Sequence, residues 1–519
     1  MRRLSAAGLA AMVCGLAGCA TSSLDLAPER PDQPWVPATT SNGAIIAGEH
    51  GTTDATRTTS ATSALASTQG YVLPTNQALA TLPPAMVDST RTYALPELID
   101  LAESNNTATR IAWNDARRVA LAAGIAKSAY LPRITATAIG GYQAASGTVS
   151  ALGTSFDNHD SASGSVSAVS LQWLLFDFGE RDAIVEAAKQ ASVVSNVAFT
   201  AVHQQVICNV TLAFYAYGAA RGRLSTAEQS LADAQEIDDA AQARYKHGIG
   251  TVIEVSQARQ GTAQAKLALV QASGATQDAY LGLMSAMGLS PLTRIQIADI
   301  AGRTLTPSMS TPVAAIISDS IGRRPDVLGA YAARSASLAN IRAAQAEFMP
   351  KVFLSAIGSY NAGGLNLTAL PGTGQDPPTV NINGHRFGGA VFVGVTIPLY
   401  DGGMRSATLA RAQAEADSSD ARFTQVRDEA VRQIALADNA LLTSLEAYQA
   451  SQALTNAAQT TFDATLAAYR SGVGSITDLT LANMQLLQAK NASTDAYSTA
   501  LSAAANLALS TGTLGAAPQ

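Results

Sequence analysis

The sequence predicts an α+β protein made of two tandem copies of one unit, a β-hairpin followed by a long antiparallel pair of helices. Three observations predict this fold: an internal duplication, alternating apolar and polar residues beyond two prolines, and two very long helical patterns without proline. Of the 519 residues, 47% are hydrophobic but only 5% are aromatic. Alanine, leucine and valine therefore carry most of the apolar content, and side chains this small let helices approach closely.

The duplication is clearest at two turns that follow the long helical patterns. Tyr245-Lys-His-Gly-Ile-Gly250 matches Tyr469-Arg-Ser-Gly-Val-Gly474 at an offset of 224 residues. Glu254 matches Asp478 at the same offset. Both copies thus place an acidic residue just after a glycine-containing turn.

Two further matches extend the duplication upstream. Asp177 matches Asp401 at 224, whereas Pro132 matches Pro350 at 218, so the lengths differ by six residues within a loop. Self-similarity over a long period is the signature of tandem structural units. We therefore predict repeat 1 over 93–308 and repeat 2 over 309–512, with a short tail over 513–519.

Strands are predicted after each proline. Residues alternate over Ile134–Ile139, Ser165–Trp173 and Val391–Ile397, which is typical of a half-buried strand. The stretches between paired strands, 144–164 and 361–388, are polar and rich in glycine, and we predict long loops there. Short helices are predicted before the prolines, over 115–129 and 326–347.

Long helices are predicted from Glu180 to about Lys246 and from Met404 to about Arg470, each roughly 100 Å long at 1.5 Å per residue. The first has apolar residues at alternating steps of three and four, which indicates a heptad seam containing Cys208. Return helices are predicted to about Met287 and Leu509.

The amino terminus predicts a lipoprotein signal peptide over residues 1–18. Arg2 and Arg3 precede an apolar stretch that ends in Leu16-Ala-Gly-Cys19, a pattern that resembles a bacterial lipobox with Cys19 as the acylated residue. The alternative is an ordinary secretory cleavage site followed by a chance cysteine. Residues 19–92 are rich in Pro, Ser and Thr and predict a lipid-anchored linker. No later apolar run is long enough to predict a transmembrane helix.

Several function classes are disfavoured by composition and motif content. The formal net charge of -6 and a pI of about 5.5 argue against nucleic-acid binding. The five histidines lack metal-ligand spacing, and no phosphate-binding loop or Gly-x-Ser-x-Gly elbow occurs. We therefore expect no enzyme activity, no metal and no cofactor other than the covalent lipid on Cys19. A coiled-coil adhesin would not duplicate this unit, and a periplasmic adaptor would carry one helical hairpin between all-β domains.

One copy of the chain cannot close a membrane barrel. It offers four predicted strands, whereas the smallest common barrels have about eight. Other chains must therefore supply the rest, because open sheet edges cannot face lipid. Three copies would give twelve strands and twelve long helix segments.

In the order of its parts the chain resembles the TolC-like outer-membrane factors, specifically the lipid-anchored NodT-like members of efflux pumps. The resemblance rests on the Cys19 lipobox, on Arg323-Arg-Pro-Asp-Val327, and on the duplicated strand starts, Asp-x-Gly corners and Tyr-x-x-Gly turns. It implies an α+β membrane protein, a homotrimer whose twelve-stranded β-barrel in the outer membrane is continued by a twelve-helix α-barrel across the periplasm.

The implied function is that of a passive conduit in a tripartite efflux system. Its partners would be a periplasmic adaptor, an inner-membrane pump of the RND type and outer-membrane lipid, with small molecules as cargo. The alternative is the outer-membrane channel of a type I polypeptide secretion system.

The resemblance also implies a gate and a docking surface at the periplasmic helix tips. Tyr469, Glu254 and Asp478 match residues of the gate constriction, although some relatives have an arginine where this chain has Gly474. The matching adaptor contacts are Gly248, Gly250, Gly472 and Gly474. Alternatively, Tyr469 packs on its helix, the acids are solvated near helix N-termini where negative charge is favourable, and the glycines permit positive φ.

Overall fold

The structure, a computed structural model, describes residues 37–39, 45–50, 87–151, 154–300, 305, 313–368 and 379–514. The chain divides into two compact units, Met1–Asp88 and Ser89–Gln519. In the first unit, β1 (Pro37–Thr39) pairs antiparallel with β2 (Ile45–His50). The linker prediction contained no strands here. The predicted signal peptide, Cys19 and residues 515–519 lie outside the described residues.

In the second unit the same succession of long elements occurs twice. The first copy comprises β3 (Thr92–Tyr93), α1 (Leu95–Asn105), α2 (Thr107–Ser128), β4 (Arg133–Ala151), β5 (Thr154–Phe176), α3 (Glu180–Lys246) and α4 (Val252–Ala286). The second comprises β6 (Gln296–Ile297), α5 (Val313–Ser320), a 3₁₀ turn (Ile321–Arg323), α6 (Pro325–Ala346), β7 (Lys351–Thr368), β8 (Thr379–Thr396), α7 (Met404–Ser471) and α8 (Ile476–Ser510). The short strands β3 and β6 pair in parallel and so link the two copies.

The four long strands form one antiparallel sheet in the order β4-β5-β7-β8. The predicted loop over 144–164 is wrong, because β4 and β5 stay paired from Arg133 opposite Gln172 to Ala151 opposite Thr154. The loop over 361–388 is wrong at both ends, since β7 and β8 pair out to Thr368 opposite Thr379. These stretches lack an alternating apolar signal, yet strand pairing depends on backbone hydrogen bonds that polar residues and glycine also form.

The long helices agree with the sequence prediction and organise the helical layer. α3 has 67 residues and α7 has 68, each roughly 100 Å. α3 packs against α2, α6, α4 and α8, whereas α7 packs against α6 and α8. The shorter helices thus alternate with the long ones, in the order α2-α3-α6-α7 near the sheet and α4-α3-α8-α7 farther along.

Two expectations about α3 need correction. Cys208 is fully buried, but Ala191, Ala198 and Gln205 of the predicted seam are exposed in the single chain, so the seam does not act as one continuous core stripe. Burial raises the pKa of the Cys208 thiol. In addition, α3 contains a window apolar enough to cross a membrane by length and composition, although a third of that window is buried. Its contacts with four other helices mark it as part of the helical layer.

Matching polar corners join strand to helix in both copies. Gly179 and Gly403 both have φ 91°, a conformation that suits glycine. Asp177 Oδ2 accepts hydrogen bonds from the backbone N and Nε of Arg181, at 2.9 and 2.8 Å. Asp401 and Arg405 repeat the arrangement, with Nε at 2.6 Å, and the hydrogen bond from Arg405 lowers the pKa of Asp401. The corner is therefore fixed by an ion pair within the first turn of each long helix.

A second matching feature joins the start of each short helix to the end of each return helix. Arg324 donates from Nη1 to Ser510 O at 2.7 Å and also binds Asp326 and Gln433. In the first copy Asn106 donates from Nδ2 to Ala286 O at 3.0 Å. Ala286 and Ser510 are 224 residues apart, so Asn106 takes the position of Arg324 although the first copy lacks the Arg-Arg-Pro-Asp motif.

Candidate functional site

The long sheet has one apolar face and one polar face, which follow from its register. On the apolar face, cross-strand rows are Ile134-Leu171-Ala356-Val391 and Ala136-Val169-Gly358-Gly389, with Trp173, Leu354 and Val393 one row beyond. On the polar face, rows are Arg133-Gln172-Ser355-Phe392, Thr135-Ser170-Ile357-Ala390, Thr137-Ala168-Ser359-Gly388 and Ile139-Val166-Asn361-Arg386. The apolar rows contain no charged side chain.

Aromatic side chains bound the apolar face at both ends. Trp173 lies in the Leu354 row, and Tyr360 pairs with Phe387 six residues farther along β7. Six residues span roughly 20 Å of strand. An apolar band of about 25 Å between aromatic girdles, with a polar opposite face, is the pattern of a membrane barrel whose lumen is polar.

Both outer strands of this sheet keep a long open edge. Among the described residues β4 pairs only with β5, and β8 pairs only with β7. The open edges are 19 and 18 residues long. Unpaired edges of this length bind another strand or aggregate unless they are covered.

The helical layer beneath the sheet is curved. Residues of α2, α3, α6 and α7 line one shared groove of ≈ 950 Å³. Four helices that follow one another in a layer can share a groove only on its concave side. Most of its lining side chains are alanines and serines, with charges at Asp115, Arg118, Arg411, Glu415 and Arg422.

The two helix tips have the same backbone geometry. Gly248 has φ 75° and Gly472 has φ 89°, so both positions favour glycine. A Cβ on Gly250 or Gly474 would lie 2.9 or 2.8 Å from the backbone N of Tyr245 or Tyr469. Turn geometry therefore accounts for all four glycines, and their predicted contact with an adaptor stays a prediction.

The acidic residues after the turns take different positions. The backbone N of Glu254 donates to Thr251 Oγ1 at 3.2 Å, and that of Asp478 donates to Ser475 Oγ at 3.1 Å. Asp478 also accepts from the Ser475 hydroxyl at 2.9 Å, which holds its carboxylate at its own helix start. Only Glu254 reaches the other helical hairpin.

Tyr469 lies at the centre of the tip. Its side chain is 1% exposed and packs in a cluster drawn from all four helices, which includes Ile237, Val255, Phe462 and Leu479. Its hydroxyl donates to Glu254 Oε2 at 3.4 Å. Tyr469 thus both packs against the helices and makes the polar contact with Glu254.

Arg244 completes this contact, and the sequence analysis assigned it no role. Its Nη1 donates to Tyr469 O at 2.9 Å, and its guanidinium lies 4.8 Å from the Tyr469 ring centroid. Its Nε lies 3.8 Å from Glu254 Oε2 and is buried without a hydrogen bond. The signal was a difference between the copies, since Ala468 occupies the matching position.

The electrostatics of this cluster keep the phenol of Tyr469 protonated. Burial raises the pKa of Tyr469 above 10.0, and the negative charge of Glu254 raises it further, while Arg244 opposes the shift. The hydroxyl therefore remains a donor through the neutral range. Among the described residues no group of three His, Cys, Asp or Glu side chains could hold a metal ion.

Comparison with known proteins identifies the family. The sequence profile of the outer membrane efflux proteins matches residues 98–289 and 316–513. The chain belongs to this family. Its members are TolC-like outer-membrane factors, which are channel proteins of efflux and transport and not enzymes.

Individual relatives agree with the assignment. Protein CyaE of Bordetella pertussis is 28% identical over 410 residues, which cover 79% of this chain and 81% of CyaE. The toluene efflux pump outer membrane protein TtgC of Pseudomonas putida is 25% identical over 411 residues, 77% of this chain and 78% of TtgC. The crystal structure of the outer membrane protein VceC from Vibrio cholerae matches with a TM-score of 0.65 at 21% identity, covering 80% of this chain and 96% of VceC. This last similarity concerns the fold alone.

Proposed function

We propose that three copies of this chain close a twelve-stranded β-barrel in the outer membrane, continued by a twelve-helix tunnel through the periplasm. The observation that carries the proposal is the four-stranded sheet with one apolar face, one polar face and two long open edges. Pairing β8 of one copy with β4 of the next removes every edge. Three copies of four strands give a barrel of ordinary size with a lumen lined by the polar face.

The tunnel serves as a passive conduit for small molecules in a tripartite efflux system. Relatives whose names include efflux pumps support an inner-membrane pump as partner, of the RND type, together with a periplasmic adaptor that contacts the glycine turns. Acylation of Cys19 adds a lipid anchor, because two or more acyl chains hold a protein stably at a membrane.

The tip cluster is the gate of this conduit. Tyr469 on α7, Glu254 on α4 and Arg244 on α3 join the two helical hairpins of one chain. Hydrogen bonds to charged groups contribute about 1.5–3 kcal/mol each. Three symmetric copies hold the tips together at rest and remain weak enough for an adaptor to separate. Asp478 contributes negative charge beside this contact without joining it.

Retention of a fluorescent dye tests the cargo. Cells lacking the chain should retain more ethidium than the same cells supplied with it, because the pump then has no exit channel. Cells supplied with a chain truncated before β7 serve as the control for expression load. Equal retention in all three would contradict small-molecule export and favour a polypeptide as the cargo.

A further inference from the structure

The charges on the polar face of the sheet are unequal in sign. The described side chains on this face include the cations Arg133, Lys351 and Arg386 and the acid Asp160. Lys351 forms an ion pair with Glu180 at 2.5 Å and so carries little net charge into its surroundings. The positive charge of this face therefore depends on the two arginines.

Arg133 lies at the end of the sheet nearest the helices. It lines a groove of ≈ 760 Å³ together with Gln172, Phe353 and Ser355. No acidic side chain lines this groove, and Arg133 forms no ion pair with any described residue. The groove therefore combines an exposed guanidinium with an amide, a hydroxyl and an aromatic ring.

Arg386 lies farther along the same face, in the row of Ile139, Val166 and Asn361. It is exposed and likewise has no ion-pair partner among the described side chains. Six residues of β4 separate its row from that of Arg133, which is roughly 20 Å. Asp160 lies another six residues along β5, toward the hairpin end. Between the two arginine rows the described polar face carries no acid.

We infer that Arg133 and Arg386 make the barrel lumen select for anions, so that the exported molecules are organic anions carrying a carboxylate, sulfonate or phosphate group. This inference rests on the proposed trimeric channel, in which each arginine is repeated three times around the lumen. A confined lumen of low-dielectric walls raises the local concentration of counter-ions. Rings of Arg or Lys are the usual basis of anion selectivity in pores. The aromatic and amide groups beside Arg133 suit the organic part of such a molecule.

The reversal potential of the purified channel in a planar bilayer tests the inference. It is measured across a gradient of KCl near 0.1 M, because the screening length is then about 10 Å. The wild type should pass chloride in preference to potassium. The double variant Arg133→Gln with Arg386→Gln should lower the chloride-to-potassium permeability ratio by at least about twofold, and benzenesulfonate in place of chloride should carry less current through the variant than through the wild type.

The matched control is Arg133→Lys with Arg386→Lys, which keeps both charges and should keep the wild-type ratio. A ratio that is the same in the wild type, the glutamine variant and the lysine variant would overturn the inference and leave the channel proposal intact. A purified trimer that forms no conducting pore would contradict the proposed function instead.

Discussion

Tyr469 and Tyr245 occupy matching positions in the two copies but have different surroundings. Tyr469 is 1% exposed and contacts Arg244 and Glu254, whereas Tyr245 is 49% exposed. The difference follows from the order of the helices, because Arg244 at the end of α3 reaches the end of α7. A duplicated sequence thus gives one closed contact per chain at the tip.

Removing this contact should open the resting channel. Tyr469→Phe combined with Glu254→Gln removes the hydroxyl donor and the charged acceptor while keeping the side-chain volumes. The resting conductance in a planar bilayer should rise. The control is Tyr245→Phe, which alters the exposed counterpart and should leave the conductance unchanged. Equal conductance in the double variant and the wild type would place the gate elsewhere along the tunnel.

The contact should also depend on pH in one direction only. The pKa of Tyr469 is raised above 10.0 in the folded chain, so its stabilising contribution is fully present below pH 10 and is lost as the pH rises through the raised value. Titration of Tyr469 should therefore add nothing to the conductance between pH 6 and pH 9.

The sequence predicted part of this cluster for a physical reason. Tyr469 and Glu254 each belong to a turn repeated in both copies, so their positions could be compared at a fixed offset. Arg244 contacts Tyr469 across 225 positions of the chain. Such a contact depends on which helices become neighbours, and no local pattern encodes it.

Among the elements, the short helices show how different residues hold equivalent positions. Asn106 and Arg324 each bind the last carbonyl of the return helix in their own copy, Ala286 O and Ser510 O. Gly288 and Gly512 have positive φ and lie directly against these segments. The fold therefore preserves the hydrogen bond to the return helix rather than the motif.

Neighbouring arginines allow a matched test of this contact. The Arg324 side chain is 8% exposed and binds three partners, whereas that of Arg323 is 58% exposed and pairs with Asp319 on the surface. Arg324→Ala should lower the free energy of unfolding by at least about 2 kcal/mol. Arg323→Ala should lower it by less than about 1 kcal/mol. Denaturant unfolding followed by circular dichroism measures both, and equal losses would show that Arg324 does not carry the contact.

The two faces of β8 can be tested with adjacent residues. Val393 lies on the apolar face and Phe392 on the polar face, and both are well exposed in the single chain, at 69% and 60%. Val393→Arg should reduce the amount of chain in the outer membrane, because an arginine facing lipid costs about 2–4 kcal/mol. Phe392→Arg places the same charge in the lumen and should be tolerated. Equal loss of both variants from outer-membrane fractions would contradict the assignment of the faces.

These strands also mark where sequence patterns fail. The segment Ile134–Ile139 alternates and was predicted as strand, but the Ser- and Gly-rich residues beyond it, also paired, were predicted as loop. Hydrophobic periodicity reports burial in an apolar environment, and residues toward the hairpin ends show no such pattern. The long helices were predicted closely because Ala- and Leu-rich repeats signal packing along their whole length.

For the molecule as a whole, attachment to the membrane depends on Cys19 as well as on the barrel. Mass spectrometry of the mature amino terminus should find Cys19 as the first residue, carrying acyl chains. Cys19→Ser should impair processing and sorting without altering the strand content measured by circular dichroism. An unmodified terminus beyond residue 19 would contradict the anchor.

The central claim is that three chains together form the barrel, because the sheet of one chain leaves 19 and 18 residues of edge unpaired. Native mass spectrometry of the purified protein in detergent reads the number of chains directly. The account predicts one dominant species of three chains. A stable monomer with full strand content would contradict it.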